Sequence, residues 1–330
     1  MRPQSLTWYT LILSLSLAAC TNEDDTGPSE TDTDTDTDAD VDPGVVWASE
    51  RAETSELFTG VYASGQGVYA TSTGGMIWTF KQSTGWRTED AGVEEEDLND
   101  IWGIGAGDSV EYFAVGDAGK VFHVSAGGTN NDDLGTANFE AIGGPGASLL
   151  YAVSWGGVYA WDGDVWTYES VPAAAKINDV WATVDVAIAV GENGVILRRE
   201  GGTEGWQPMV SPTSNALFGV GGATIADLWA VGHNGTVINF DGTIWREYDM
   251  DEDTPGVQTI TGQSLWDVWG IQNNAVYAVG NNGTAFMYDG DVWVDLPTGV
   301  DNNLYAVHGS SGFDVWAVGN RGMTIHYVGD

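Results

Sequence analysis

An all-β fold, a seven-bladed β-propeller, is what this sequence predicts, and three observations carry the prediction. From residue 45 onward the chain repeats. Each repeat holds four short apolar stretches separated by Asn-Gly or Asp-Gly. The last repeat lacks its fourth stretch, and a matching one stands before the first repeat. One full unit is residues 267–293, DVWGIQNNAVYAVGNNGTAFMYDGDVW. Sister copies are LNDIWG with YFAVGDAGKVFHV, INDVWA with AIAVGENGVILRRE, LFGVGG with DLWAVGHNGTVINFDGTIW, and LYAVHG with DVWAVGNRGMTIHYVGD. Two weaker copies are FTGVYA with VYATSTGGMIWTF, and FEAIGG with LLYAVSWGGVYAWDGDVW. The glycine position of AVG is held by Ser72, Gly116, Ser154, Gly191, Gly232, Gly280 and Gly319. The spacing is about 41 residues, the period of a propeller blade.

Within a unit the first strand is LxDVWG and the second vyAVG. The third is GTIxxYD, and the fourth is a stretch around one Trp. Asn-Gly between strands two and three, and Asp-Gly at 162–163, 241–242 and 289–290 between three and four, are tight-hairpin signals. Asn, Asp and Gly tolerate the positive φ such turns require. Val, Ile, Trp and Tyr occupy both faces of the strands, as expected when each blade is covered by a neighbour on either side. No segment sustains a helical period. VVW at 45–47 reads as an orphan fourth strand. Pairing it with the last copy closes the ring and removes two exposed edges. The expectation is a ring of four-stranded antiparallel blades, the last one closed by the N-terminal strand.

The first 44 residues have a different character. Leu6 to Leu17 is a short apolar stretch after a basic start, followed at once by Leu17-Ala18-Ala19-Cys20. Its length suits a secretory signal better than a spanning helix. The motif resembles the lipobox of bacterial lipoproteins, which implies signal-peptide cleavage after residue 19 and lipidation of Cys20. The segment 20–44 contains TDTDTDTDAD and almost nothing apolar, so it is expected to be a disordered stalk. Fully extended, it reaches about 80 Å. The propeller is assigned to 45–330. The resulting address is the bacterial cell envelope, at the outer membrane or cell surface, with the lipid anchor as the sole membrane attachment.

Composition removes several functions. The chain carries 48 acidic and 10 basic residues, a formal net charge of −38. Such a field repels a phosphate backbone, so nucleic acid is not an expected partner. Cys20 is the single cysteine, which excludes an intrachain disulfide. HExxH, CxxC and Gly-x-Ser-x-Gly motifs do not occur.

DVWG, AVGxxG and YDGxxW together resemble bacterial BNR-like and photosystem II assembly factor-like seven-bladed propellers across residues 45–330. The resemblance implies the fold, which hosts unrelated functions. The sialidase Asp-box is approximated by YDGDVW with shorter spacing. The six arginines of the propeller (Arg51, Arg87, Arg198, Arg199, Arg246 and Arg321) lack the Phe-Arg-Ile-Pro context of that family. The expected function is a non-catalytic, monomeric binding or assembly module for an envelope protein or glycan. The alternative is a BNR-type glycan-directed enzyme or lectin.

Most Trp residues fall in repeat columns and are assigned to packing between blades. Trp102, Trp181 and Trp269 share a first-strand column, in which His308 is a packed core histidine. Trp155 and Trp266 break the pattern and are candidate ligand contacts. Asp117, Glu192, His233, Asn281 and Arg321, at turn tips on the same face of the ring, join them. No cofactor is expected, calcium excepted. Asp249, Asp251 and Asp253 alternate like the start of a calcium loop, although Thr254 stands at the glycine position and no glutamate closes the loop.

Overall fold

In the computed structural model, which describes residues 47–90, 96–105, 110–172, 176–201, 205–248 and 262–329, each repeat forms one antiparallel four-stranded sheet. The described residues make seven such blades. Cys20, the Thr/Asp-rich segment, Val45, Val46 and the Asp249, Asp251 and Asp253 run lie outside the described residues. The first strands of blades 1 to 7 are Phe58–Ala63, Leu98–Ile104, Phe139–Gly146, Ile177–Ala182, Leu217–Thr224, Leu265–Gln272 and Leu304–Ser311. Among the described residues no helix is long and apolar enough to cross a membrane.

Blade 7 is completed by the N-terminal strand Trp47–Ser49, which pairs with the last strand, Thr324–Val328. Trp47 lies opposite Tyr327, with ring centroids 5.4 Å apart. The chain continues along the same edge, since the Glu50 and Ala52 amides donate to the Thr324 and Gly322 carbonyls.

Apolar residues on both faces of each strand produce seams between blades instead of a single central core. The described residues form seven hydrophobic clusters, each shared by two neighbouring blades. Ile188 and Val190 of blade 4, for example, pack on Leu217, Val220 and Leu228 of blade 5.

The AVG glycines are required by close approach. At Gly116, Gly191, Gly232, Gly280 and Gly319 a Cβ would overlap the carbonyl oxygen of the residue just before the blade's first strand. The next amide along bonds to that same oxygen, as in Glu192 to Lys176, His233 to Ala216 and Asn281 to Ser264. In these five blades the turn between strands two and three is thereby pinned to the start of its own first strand. Asn193, Asn234 and Asn282 in these turns adopt left-handed φ of 58°, 56° and 55°, which Asn tolerates better than most residues.

Candidate functional site: the channel mouth

Every first strand carries a β-bulge at the same place. Pairing with the second strand slips between Phe58 and Gly60, and likewise between Leu98 and Asp100, Phe139 and Ala141, and Ile177 and Asp179. Blades 5 to 7 repeat the slip at Leu217 and Gly219, Leu265 and Asp267, and Leu304 and Ala306. The residue left over is Thr59, Asn99, Glu140, Asn178, Phe218, Trp266 or Tyr305. A bulge takes one side chain out of the sheet's alternation and re-aims it. All seven of these residues line one central cavity of ≈ 320 Å³. They lie beside the pinned turn tips, so they form the rim of that face of the channel.

The rim has two chemical halves. In blades 1 to 4 it is polar and clasps the next blade. Thr59 Oγ1 donates to the Leu98 carbonyl at 2.6 Å, Asn99 Nδ2 to the Phe139 carbonyl at 2.8 Å, and Asn178 Nδ2 to the Leu217 carbonyl at 2.7 Å. Glu140 pairs with Lys176 at 2.9 Å. In blades 5 to 7 the rim is aromatic. Phe218 stacks on Trp266 at 4.6 Å and 21°, and Trp266 meets Tyr305 at 5.6 Å and 56°. Trp266 Nε1 donates to Asn281 Oδ1 at 2.8 Å, which fixes the indole.

One residue further along the strands stand Asp100, Asp179 and Asp267 in blades 2, 4 and 6, alternating with Gly60, Ala141, Gly219 and Ala306. The small residues make room: a Cβ on Gly60 would lie 2.8 Å from Asp100 Cα, and one on Gly219 2.8 Å from Asp267 Cα. Each aspartate accepts from the following amide of its own strand and from an amide of the next blade. The cross-blade donors are Ile142, Val220 and Val307, at 2.9, 2.7 and 2.8 Å. Burial pushes Asp100 up to about 7 and Asp267 up to about 6, against the pull of those amides. Asp179 is raised well above the usual carboxylate range by burial and by the charges of Asp267 and Asp100. Among the described residues no Lys or Arg lines the cavity.

Trp102, Trp181, Trp269 and His308 occupy the far part of the channel. The tryptophans expected to be purely interblade thus also face the lumen. Trp181 additionally donates from Nε1 to the Gly222 carbonyl. His308 is the packed histidine expected. Its Nδ1 accepts from the Ala63 amide at 3.1 Å, its ring packs on Tyr62 and Trp269, and burial holds it down to about 4.

The residues singled out in the sequence are only partly brought together. Trp266 lies on the rim, Asn281 supports it, and Asp117 Oδ1 accepts from the rim residue Asn99 at 3.1 Å. Trp155 is 76% exposed at the blade 3 turn, bridged to Lys176, and does not line the cavity. Glu192, His233 and Arg321 are turn residues outside the cavity lining. Arg321 is one position off the tips it was aligned with: at φ 58° it matches Asn282, and Asn320 is the counterpart of Asn281. Phe218 and Tyr305, the other two rim aromatics, were missed, although both follow the first residue of their strand as Trp266 does. Among the described residues no group of His, Cys, Asp and Glu is arranged to hold a metal ion.

No family model matches the sequence, and no curated protein matches it. Solved structures do. YCF48 from Cyanidioschyzon merolae superposes with a TM-score of 0.67 at 15% identity, covering 86% of this chain and 99% of that one. A structure of YCF48 bound to D1 peptide gives 0.68 at 17% identity, covering 86% and 97%. The WD40 repeats of RRP9 give 0.68 at 10% identity, with 86% and 97% covered. What they share with this chain is the propeller fold. The fold expected from the repeat is the fold found.

Proposed function

We propose that this chain is a non-catalytic binding module that takes a protein partner at the channel mouth, and that an acyl group on Cys20 holds it outside the cytoplasm. The observation that carries the reading is the divided rim: aromatic in blades 5 to 7, polar in blades 1 to 4, all built on one repeated bulge. A rim needed only to join blades can use the Thr or Asn clasp seven times. Three partly exposed aromatics together instead offer adaptable apolar contact to a partner, as peptide-receiving surfaces do. The Asp100, Asp179 and Asp267 carboxyls, although shifted as catalytic groups often are, each spend both oxygens on backbone amides, which favours a structural role. Support from the comparisons is that one similar propeller is described as bound to a peptide. Photo-crosslinking in the native cell tests the reading. A crosslinker at Tyr305 should trap a partner and one at Ile244, in a turn between strands three and four, should not; equal trapping from both sites refutes it. Cys20→Ser should move the protein from the membrane to the soluble fraction, and retention on the membrane refutes the anchor.

The exposed indole of Trp155 favours a second reading, a glycan-binding propeller, because a flat exposed ring stacks on sugar faces. A glycan array separates the two: sugar binding lost in Trp155→Ala would support this reading over the first.

A further inference from the structure

The two layers of the mouth belong to one cavity, and each lacks what the other's occupant would supply. The Phe218, Trp266 and Tyr305 faces offer apolar and π surface. Directly beneath, Asp100, Asp179 and Asp267 form an acidic layer whose oxygens, among the described residues, meet backbone amides. Lys176, just before the first strand of blade 4, is taken by the rim residue Glu140. Buried carboxylates without a counter-ion are costly, and their crowding raises that cost. The layers are one residue apart along the strand, about 3.3 Å, which lies well within the length of a Lys or Arg side chain.

Resting on the reading of the mouth as a protein-binding site, we propose that the partner inserts a basic side chain, Lys or Arg, down the channel axis. Its aliphatic stem lies against Phe218, Trp266 and Tyr305, and its cationic head is directed at the Asp100, Asp179 and Asp267 layer. Charge complementarity selects this occupant over the others that the aromatic arc would admit. An apolar side chain leaves the acidic layer uncompensated, and an acidic one adds a fourth carboxyl to it. A cation gains from both layers at once, since the quadrupoles of the rings and the carboxylates attract it together. The stem of Lys or Arg is itself apolar enough to cover ring faces.

Isothermal titration of the full chain with blocked Gly-Ser-X-Ser-Gly peptides tests this, with X as Lys, Arg, norleucine or Glu. The Lys and Arg peptides should bind at least about tenfold tighter than norleucine, and Glu should not bind detectably up to about 10 mM. Norleucine binding as tightly as Lys, or no peptide binding at that concentration, overturns the proposal. Asp179→Asn and Trp266→Leu should each weaken the Lys peptide at least about fivefold. Glu247→Gln, which removes the same charge from the outer strand of blade 5, should leave it unchanged; equal loss in Glu247→Gln would mean general attraction to an acidic protein and would also overturn it. If Asp179→Asn does not fold, Trp266→Leu decides, because Leu keeps the apolar packing and removes the π face. A partner crosslinked from Tyr305 while every Lys and Arg peptide fails leaves the protein-binding reading standing and removes the cation.

Discussion

Three aspartates set the chemistry of the channel, and each is held between opposing forces. Two amides favour the carboxylate of Asp100, Asp179 and Asp267, while burial and mutual repulsion favour the acid, and burial wins. In the unfolded chain the same groups titrate near 4. Between about pH 4 and pH 7 the folded state therefore holds protons that the unfolded state releases. Their contribution to stability falls as pH rises through that window. His308 acts in the other direction: with its folded value down at about 4, the unfolded state takes up the proton first and stability is lost as pH falls below about 6.5. Three groups oppose one, so the melting temperature should be higher at pH 6 than at pH 8. A His308→Phe variant, whatever its absolute stability, should gain more on going from pH 8 to pH 5 than the parent does. Melting curves by circular dichroism at pH 5, 6, 7 and 8 check both statements; a parent curve that falls from pH 8 to pH 6 sinks the account.

The repeating element, a blade, divides into parts the sequence declares and a part it conceals. Turns are declared, because Asn-Gly and Asp-Gly chemistry is local. Asp162 and Asp241 each accept two turn amides on Oδ1, and those bonds hold both carboxyls low. The bulge is concealed, because an extra residue shows only when a strand is laid against its partner. LxDVWG alone reads as an alternating strand, so Trp266 stood out as an anomaly while Phe218 and Tyr305 in the same column did not. The channel role of Trp102, Trp181 and Trp269 was hidden similarly, since a repeat column gives equivalence between blades and no direction. The register of Arg321 is concealed as well, because NRG puts an arginine where three other blades have the Asn of x-Asn-Gly. Ala118 departs from the same pattern and allows a test. It sits at φ 52°, where Asn stands in three other blades, and a residue with a Cβ there costs about 1 kcal/mol. Ala118→Asn should relieve part of that cost and raise the melting temperature by about 2–4 °C per kcal/mol recovered. Asn193→Ala should lower it by a comparable amount. A neutral result in both would mean that the pinned amide, not the left-handed residue, sets the turn's stability.

A ring of seams has no strong point to spare, because each blade is stabilised by both neighbours and an opening at any seam exposes two apolar faces. The chain ends meet in blade 7, where the closing strand contributes three residues, Trp47–Ser49, on the edge of Thr324–Val328. Its side-chain contribution is concentrated in Trp47, 5% exposed and packed with Tyr327, Leu296 and Met323 in the seam between blades 6 and 7. The segment after it serves the other seam: Trp86 Nε1 of blade 1 donates to the Glu50 carbonyl at 2.6 Å, and Ala52 is buried between blades 7 and 1. Removing residues 1–50 therefore weakens two seams and leaves Thr324–Val328 as an unpaired edge. Loss of a buried Trp alone costs about 3–5 kcal/mol, which at about 2–4 °C per kcal/mol is a fall of roughly 6–20 °C. Trp47→Ala in the full chain should reproduce most of that fall, whereas a truncation ending at residue 44 should melt as the parent does. The exposed edge adds a second signature, since unpaired strands template pairing with another copy. Sedimentation should find the 1–50 deletion self-associating and Trp47→Ala, whose edge is still covered, monomeric. If the 1–50 deletion melts like the parent and stays monomeric, closure by the N-terminal strand is not what holds the ring.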